Sequence, residues 1–160
     1  MEKRIKIALV DDHTLFRTGL AGLLSQNDDF EVVASCGSGE EFLSLLPTLD
    51  ADVVFMDISM PGIDGSEATR RALSERPELR IITLSMYGDD HYYTRMVVSG
   101  ASGFLLKDSD IDEVYAAVES AMAGDSYFSS ALLGSLTRNM SVLNALSPNE
   151  EDELSDREME

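Results

Sequence analysis

The sequence has no tryptophan, only four prolines and a single cysteine. Because Cys36 has no partner, it cannot form a disulfide within the chain, and we expect a protein of a reducing, cytoplasmic compartment. No apolar run approaches the roughly 20 residues of a membrane-spanning helix, and residues 1–4 lack the apolar core of a signal peptide. We therefore expect no membrane association.

Basic residues are also few. Lysine and arginine number 12 against 30 aspartates and glutamates, which gives a formal net charge of −18. Binding to nucleic acid rests on neutralising phosphates with basic side chains, so this chain is predicted to repel DNA. Its 160 residues, 44% of them hydrophobic, are enough for one domain of ordinary size and an additional segment.

Apolar stretches alternate with stretches of helical spacing as far as Gly124. Strands are predicted at residues 5–10, 30–34, 53–56, 80–85 and 103–106. The alternation predicts an α/β protein with a doubly wound, five-stranded parallel sheet and helices on both faces. Among the strand orders that right-handed crossovers allow, we take the flavodoxin-like order 2-1-3-4-5.

Capping residues mark the helices that follow these strands. Ser38 and Glu41 form a capping box, and Gly124 is predicted to end the last helix. The helices are predicted to begin at or near Thr14 (as the cap), Ser38, Ser66, Asp90, and either Ser109 or Asp110.

Polar side chains stand at the ends of four predicted strands: Asp11 and Asp12, then Asp57, Ser85 and Lys107. The carboxyl ends of parallel strands meet at one edge of the sheet, where such folds bind ligands. Three carboxylates repel one another and require a cation, and hard oxygen ligands without nearby cysteine favour Mg²⁺, with Mn²⁺ as the alternative ion. A metal, an ammonium and a hydroxyl around a carboxylate predict phosphoryl transfer onto Asp57.

These motifs, taken in order, resemble the receiver domain of two-component response regulators. The resemblance covers residues 5 to 124 and rests on Asp11-Asp12, Asp57, Met60-Pro61-Gly62, Asp64-Gly65, Ser85 and 103–107. Further motifs are similar to the subfamily with a LuxR-type (NarL/FixJ-like) helix-turn-helix output, namely Asp11-Asp12-His13, Arg17-x-Gly19-Leu20, 100–107 and 154–158.

The resemblance implies a role for each site residue. Asp57 would accept phosphate from a histidine kinase or a small phosphodonor, and Asp12 would bind the metal directly. Asp11 would support the metal mostly through water, and the Ser59 backbone carbonyl would complete the protein ligands. The remaining roles are a phosphate partner, a switch hydroxyl and a switch aromatic, for Lys107, Ser85 and Phe104 respectively.

The resemblance also implies an organisation for the whole chain: a receiver domain at 1–124, a linker with a short helix at 125–153, and the first residues of a truncated helix-turn-helix domain at 154–160. We expect a homodimer on phosphorylation, formed through the first and fifth helices or through the fourth helix, fifth strand and fifth helix. Tyr92, Tyr93 and Tyr115 are candidate contacts. DNA would be bound only through the missing C-terminal domain.

The resemblance thus implies a phosphorylation switch, which we expect not to be a turnover enzyme. Three other functions are alternatives to it. A haloacid dehalogenase-type phosphatase needs a second Asp two residues after its nucleophile, where this chain has Ser59. An FMN-binding module needs a Ser/Thr-rich phosphate loop after the first strand, where the chain has 11–14, Asp-Asp-His-Thr. A phosphate-independent scaffold would not require all five site residues. Finally, His13 and His91 lack metal-ligand spacing and are predicted to be surface residues.

Overall fold

The computed structural model describes residues 4–86 and 99–128. Its strands are β1 (Ile5–Val10), β2 (Phe30–Cys36), β3 (Val53–Asp57), β4 (Arg80–Ser85), β5 (Gly103–Leu106) and β6 (Tyr127–Phe128). Its α-helices within these residues are α1 (Thr14–Ser25), α2 (Gly39–Leu45), α3 (Gly65–Glu75) and α4 (Ile111–Met122), with a 3-10 turn at Leu46–Thr48 after α2. Every helix in this part of the chain is too short or too polar to cross a lipid bilayer.

All strands are parallel, in the order β2-β1-β3-β4-β5-β6. The predicted order 2-1-3-4-5 is therefore confirmed, and a sixth strand extends it. Strand β6 is only two residues long and pairs with Gly103 and Phe104 of β5. Tyr127 holds the strand in place, because its backbone N–H donates to the Ser102 carbonyl at 3.2 Å and its hydroxyl donates to Glu113 at 3.3 Å. So short a strand has no recognisable sequence pattern.

The sheet is buried on both faces, as continuous apolar strands predict. All five residues of β3 are buried, and alternate side chains point to opposite faces. Phe55 packs with α1 and α4 on one face, through Leu20, Leu24, Val114 and Val118. Val54 and Met56 pack with α2 and α3 on the other, through Phe42, Ala68 and Ala72.

Side-chain caps begin three of the helices. Ser38 accepts a hydrogen bond from the Glu41 N–H at 3.0 Å, which confirms this half of the predicted capping box. The Glu41 carboxylate accepts from the Gly37 N–H at 2.8 Å, one residue before the cap. Asp64 caps α3 in the same way, and Asp110, rather than Ser109, caps α4. Gly124 follows α4 with φ +85°, a conformation that favours glycine and ends a helix.

The prediction that Thr14 caps α1 is wrong. Thr14 is the first helical residue, and His13 occupies the cap position without a side-chain capping bond. The cause lies two residues earlier, where the Asp11 carboxylate accepts a hydrogen bond from the His13 N–H at 2.8 Å. Other boundaries also differ from prediction: β2 continues to Cys36, β3 continues to Asp57, and α3 spans 65–75 instead of 66–73.

Several predictions lie outside the described residues. They are the helix at 90–98, the short helix at 131–139, the segments 140–153 and 154–160, and the side chains of Tyr92, Tyr93 and His91. Tyr115 is described, and its ring packs edge-to-face on Phe30 with the ring centroids 5.3 Å apart. This side chain therefore contributes to the core.

Gly65, the first residue of α3, is predicted to tolerate no side chain. A Cβ there would lie 2.3 Å from the Asp57 carbonyl oxygen and 2.6 Å from Ile58 Cα, and both are backbone atoms. Gly65→Ala should therefore lower the free energy of unfolding by about 2 kcal/mol, measured by urea denaturation.

Gly22→Ala is the matched control, because a Cβ at this exposed helical position meets nothing within 4 Å. It should be neutral or stabilising by up to about 1 kcal/mol. Equal stability of the two variants would contradict the close approach at Gly65.

Candidate functional site

The candidate site lies at the carboxyl edge of the sheet, where β1 and β3 are neighbours. Asp57 is the last residue of β3, and Asp11 directly follows β1. Val10 and Met56 are register partners, so the two aspartates stand side by side. Both are buried, with 1% of Asp11 and 2% of Asp57 exposed to solvent.

Lys107 reaches these carboxylates from the end of β5, two strands away from β3. Its Nζ lies 2.9 Å from Asp11 Oδ2 and 3.3 Å from Asp57 Oδ2, and the side chain is only 7% exposed. The Lys107 N–H donates to the Ser85 carbonyl at 2.8 Å, and the Phe16 ring centroid lies 5.1 Å from Nζ. The structure thus brings two of the predicted acids, Asp11 and Asp57, into direct contact with the predicted amine.

Each buried carboxylate has one oxygen fixed by backbone and one directed into the pocket. Asp57 Oδ1 accepts from the Ser59 N–H at 3.2 Å, and Asp11 Oδ1 accepts from the His13 N–H. The Oδ2 atoms of both residues are buried and make no hydrogen bond of regular geometry, although each faces the Lys107 ammonium. These two oxygens are the natural donors for a cation.

The charges in the pocket do not balance. Burial, and next the neighbouring Asp11 charge, raise the pKa of Asp57 to about 7, while Lys107 and the Ser59 N–H oppose this rise. One ammonium thus faces two buried carboxylates. A divalent cation would relieve the repulsion.

The donor set fits such a cation. Asp11, Asp12, His13 and Asp57 each offer one ligand atom, and these atoms lie within 4.8 Å of one another. Three of the four are carboxylates, which Mg²⁺ prefers. Asp12 is exposed at the mouth of the pocket. Ser59 lies beside Asp57 through its N–H, and metal binding by its carbonyl stays a prediction.

His13 is the member of this set that sequence reasoning missed. Its side chain is 60% exposed, as predicted, but Nδ1 lies 2.8 Å from Lys107 Nζ and 3.3 Å from Asp11 Oδ1. The description as a plain surface residue is therefore incomplete. The sequence does carry a signal for this role, namely the position of His13 directly after Asp11-Asp12. The lack of a second histidine at metal-ligand spacing says nothing about a histidine that joins carboxylates.

Arg17 is a second residue whose contacts at the site the sequence pattern did not predict. Its Nη1 donates to the Asp11 carbonyl, and its Nε donates to Ser35 Oγ at 2.7 Å. The side chain therefore ties the turn that carries the acids to β2. Ser35 is 18 positions away in sequence, so only the fold reveals the pairing.

Ser85 and Phe104 occupy the neighbouring strands β4 and β5. Ser85 is buried and its hydroxyl has no hydrogen-bond partner in the described structure; the same holds for Thr83. Phe104 is 3% exposed and pairs in register with Thr83, which puts Thr83, Ser85 and Phe104 on one face of the sheet. Their switching roles stay predictions.

Comparisons with known proteins identify the family of the chain. The sequence pattern of the family described as response regulator receiver domain matches residues 7–119. The chain is 40% identical over 126 residues to the transcriptional regulatory protein DegU of Brevibacillus brevis, covering 79% of this chain and 53% of DegU. It is 34% identical over 160 residues to the response regulator GacA of Pseudomonas aeruginosa, covering 98% and 72%. The chain thus spans about half to three quarters of these relatives.

Solved structures show the same fold. A LuxR-family two-component response regulator from Aurantimonas sp. SI85-9A1 superposes with a TM-score of 0.80 at 29% identity, covering 87% of this chain and 99% of that one. The signal receiver domain of the response regulator NarL from Mycobacterium tuberculosis gives a TM-score of 0.70 at 31% identity, covering 76% and 98%.

The raised pKa of Asp57 leads to a prediction about stability. Between about pH 4 and pH 7 the folded chain holds a proton on this carboxyl that the unfolded chain has released, so ionisation costs stability as pH rises through that window. Asp57→Asn removes this cost. Without metal, the variant should exceed the wild type in free energy of unfolding by about 1 kcal/mol or more at pH 8, and by much less at pH 5.

The measurement is urea denaturation in EDTA at both pH values. Asp28→Asn makes the same charge change at an exposed turn before β2, and it should follow the wild type at each pH. A difference between Asp57→Asn and wild type that is the same at pH 5 and pH 8 would contradict the prediction.

Proposed function

We propose a phosphorylation switch for this chain, which belongs to the response regulator receiver domain family. One observation carries the proposal: the Asp57 carboxylate is buried at the strand end, with one oxygen fixed and the other facing a lysine ammonium. Such a carboxylate is oriented, poorly solvated and next to a positive charge. Family membership also argues against the haloacid dehalogenase and flavodoxin alternatives.

In the proposed reaction, the Asp57 carboxylate attacks the phosphorus of a histidine kinase phosphate or of a small phosphodonor. A P–O bond to Asp57 forms as the bond to the donor breaks, and the donor leaves with the electron pair. The ammonium of Lys107 exchanges a carboxylate partner for a phosphoryl oxygen. The Ser59 N–H keeps Asp57 oriented during this exchange.

Asp11, Asp12 and Asp57, with the Ser59 carbonyl, would hold the Mg²⁺ ion, and Mn²⁺ would fit the same donors. When bound, the ion neutralises charge on the phosphoryl oxygens. The chain's own contribution is the geometry of the acids, which the Arg17 contact with the Asp11 carbonyl and the Asp11 contact with the His13 N–H fix before any ion enters.

The product adds roughly two negative charges to the edge of the sheet. The Ser85 hydroxyl, buried and without a hydrogen-bond partner, would donate to a phosphoryl oxygen. Because Phe104 is already buried, its part in the switch would be a change of packing on the same face of the sheet. We propose that this change favours a homodimer.

For the whole protein we propose control of transcription, because its relative DegU is a transcriptional regulatory protein. A chain with a net charge of −18 would contact DNA only through a further C-terminal domain. We propose a linker at 125–153 and the start of that domain at 154–160. The pairing of β6 with β5 extends the receiver unit to residue 128, into the first residues of this linker.

Acetyl phosphate provides the direct test. With Mg²⁺, the wild type should gain the mass of one phosphoryl group in intact-protein mass spectrometry, and Asp57→Asn should gain none. Asp28→Asn should behave as the wild type, because Asp28 lies away from the pocket. Phosphorylation of Asp57→Asn, or none of the wild type, would refute the proposal.

Assembly is tested by size-exclusion chromatography with light scattering, with and without Mg²⁺ and beryllium fluoride, an analogue of the phosphoryl group. The wild type should shift towards a dimer, whereas Asp57→Asn should keep its size. A wild type that is phosphorylated but unchanged in size would leave the chemistry intact and contradict the dimer.

A further inference from the structure

We infer that His13 provides a nitrogen donor to the cation pocket, which raises the affinity of this pocket for late first-row divalent ions such as Ni²⁺ relative to its affinity for Mg²⁺. The inference concerns the site named under the proposed function and rests on it for location only. It adds a ligand and a class of metal to the expected set of carboxylates.

The Lys107 ammonium shows where the His13 lone pair points. An ammonium carries three donors and no acceptor. Its Nζ lies 2.8 Å from His13 Nδ1, 2.9 Å from Asp11 Oδ2 and 3.3 Å from Asp57 Oδ2. An ammonium can only donate, so in this 2.8 Å contact Nδ1 is assigned as the acceptor. A positive charge is thus already surrounded by one nitrogen and two oxygens.

The position of His13 is set by backbone as well as by its ring. The residue is the cap of α1, with φ −84° and ψ 95°, and its N–H donates to Asp11 Oδ1. The ring nitrogen Nδ1 also lies 3.3 Å from Asp11 Oδ1 and 3.9 Å from Asp12 Oδ1. The imidazole is therefore part of the cluster of acidic residues, even though the His13 side chain is 60% exposed.

The carboxylates of the same cluster have spare capacity for a cation. Asp11 Oδ2 and Asp57 Oδ2 are buried and face Lys107 without a hydrogen bond of regular geometry. Buried carboxylate oxygens usually have such partners. The cluster therefore offers strong oxygen donors within 4.8 Å of a ring nitrogen of His13.

The chemistry of the donors determines which ions benefit. Mg²⁺ prefers oxygen ligands and gives up its water reluctantly, whereas imidazole suits ions such as Ni²⁺ and Zn²⁺. The three carboxylates serve both classes of ion, and the nitrogen serves mainly the second. His13 should therefore set the ratio of the Ni²⁺ affinity to the Mg²⁺ affinity.

Isothermal titration calorimetry of the full, untagged chain with Ni²⁺ and with Mg²⁺ tests this. His13→Asn removes the nitrogen lone pair but keeps a residue that is favoured at a helix cap, so the start of α1 is preserved. The ratio of Ni²⁺ to Mg²⁺ affinity should fall by about ten-fold or more. His91→Asn, at the only other histidine in the sequence, should leave the ratio unchanged.

Visible absorption of bound Co²⁺ gives a second readout, because loss of a nitrogen ligand changes the spectrum, whereas a loss of stability alone does not. The inference is overturned if His13→Asn leaves the affinity ratio unchanged, if His91→Asn lowers it equally, or if Asp57→Asn does not weaken Ni²⁺ binding. The proposed function fails separately, through the absence of a phosphoryl group on the wild type with acetyl phosphate and Mg²⁺.

Discussion

The whole edge of the sheet depends on one ammonium placed between two buried carboxylates. Lys107 is the only described cation within salt-bridge distance of both Asp11 and Asp57, and both acids are almost fully buried. Removing this ammonium would leave two buried carboxylates without compensation and would cost several kcal/mol. The contact requires β1 and β3 to be neighbours and β5 to lie two strands further on, which is what the observed strand order provides.

A rigid scaffold allows the protein to tolerate this imbalance. The strands are buried on both faces, so the apolar core fixes the backbone that ends in Asp57 and Ser85. Gly65 then lets α3 begin against the Asp57 carbonyl. The polar groups at the edge can therefore be poorly satisfied, with a raised pKa at Asp57 and a hydroxyl at Ser85 without a partner, without endangering the fold.

Much of this was predictable because it depends on local pattern and simple topology. Buried strands have apolar runs, and parallel strands bring their carboxyl ends together, so Asp11, Asp57 and Lys107 could be placed at one edge from sequence. Two of the missed features depend on contacts between distant residues: the contact of Arg17 needs Ser35 on another strand, and β6 pairs with the edge of β5. The cap of α1 was missed for a local reason, because the Asp11 carboxylate accepts the N–H of His13 two residues later.

The Lys107 ammonium affects the binding of both expected ligands, the phosphoryl group and the metal ion. Its three donors face three acceptors, on His13, Asp11 and Asp57, so a further acceptor for Lys107 must replace one of them. A phosphoryl oxygen competes for the donors of Lys107, and a metal ion competes for the acceptors. The imidazole nitrogen is the weakest of the three acceptors, because the other two belong to carboxylates and hydrogen bonds between charged partners are stronger. His13 is therefore the contact that gives way first, and the same exchange frees its nitrogen for a metal.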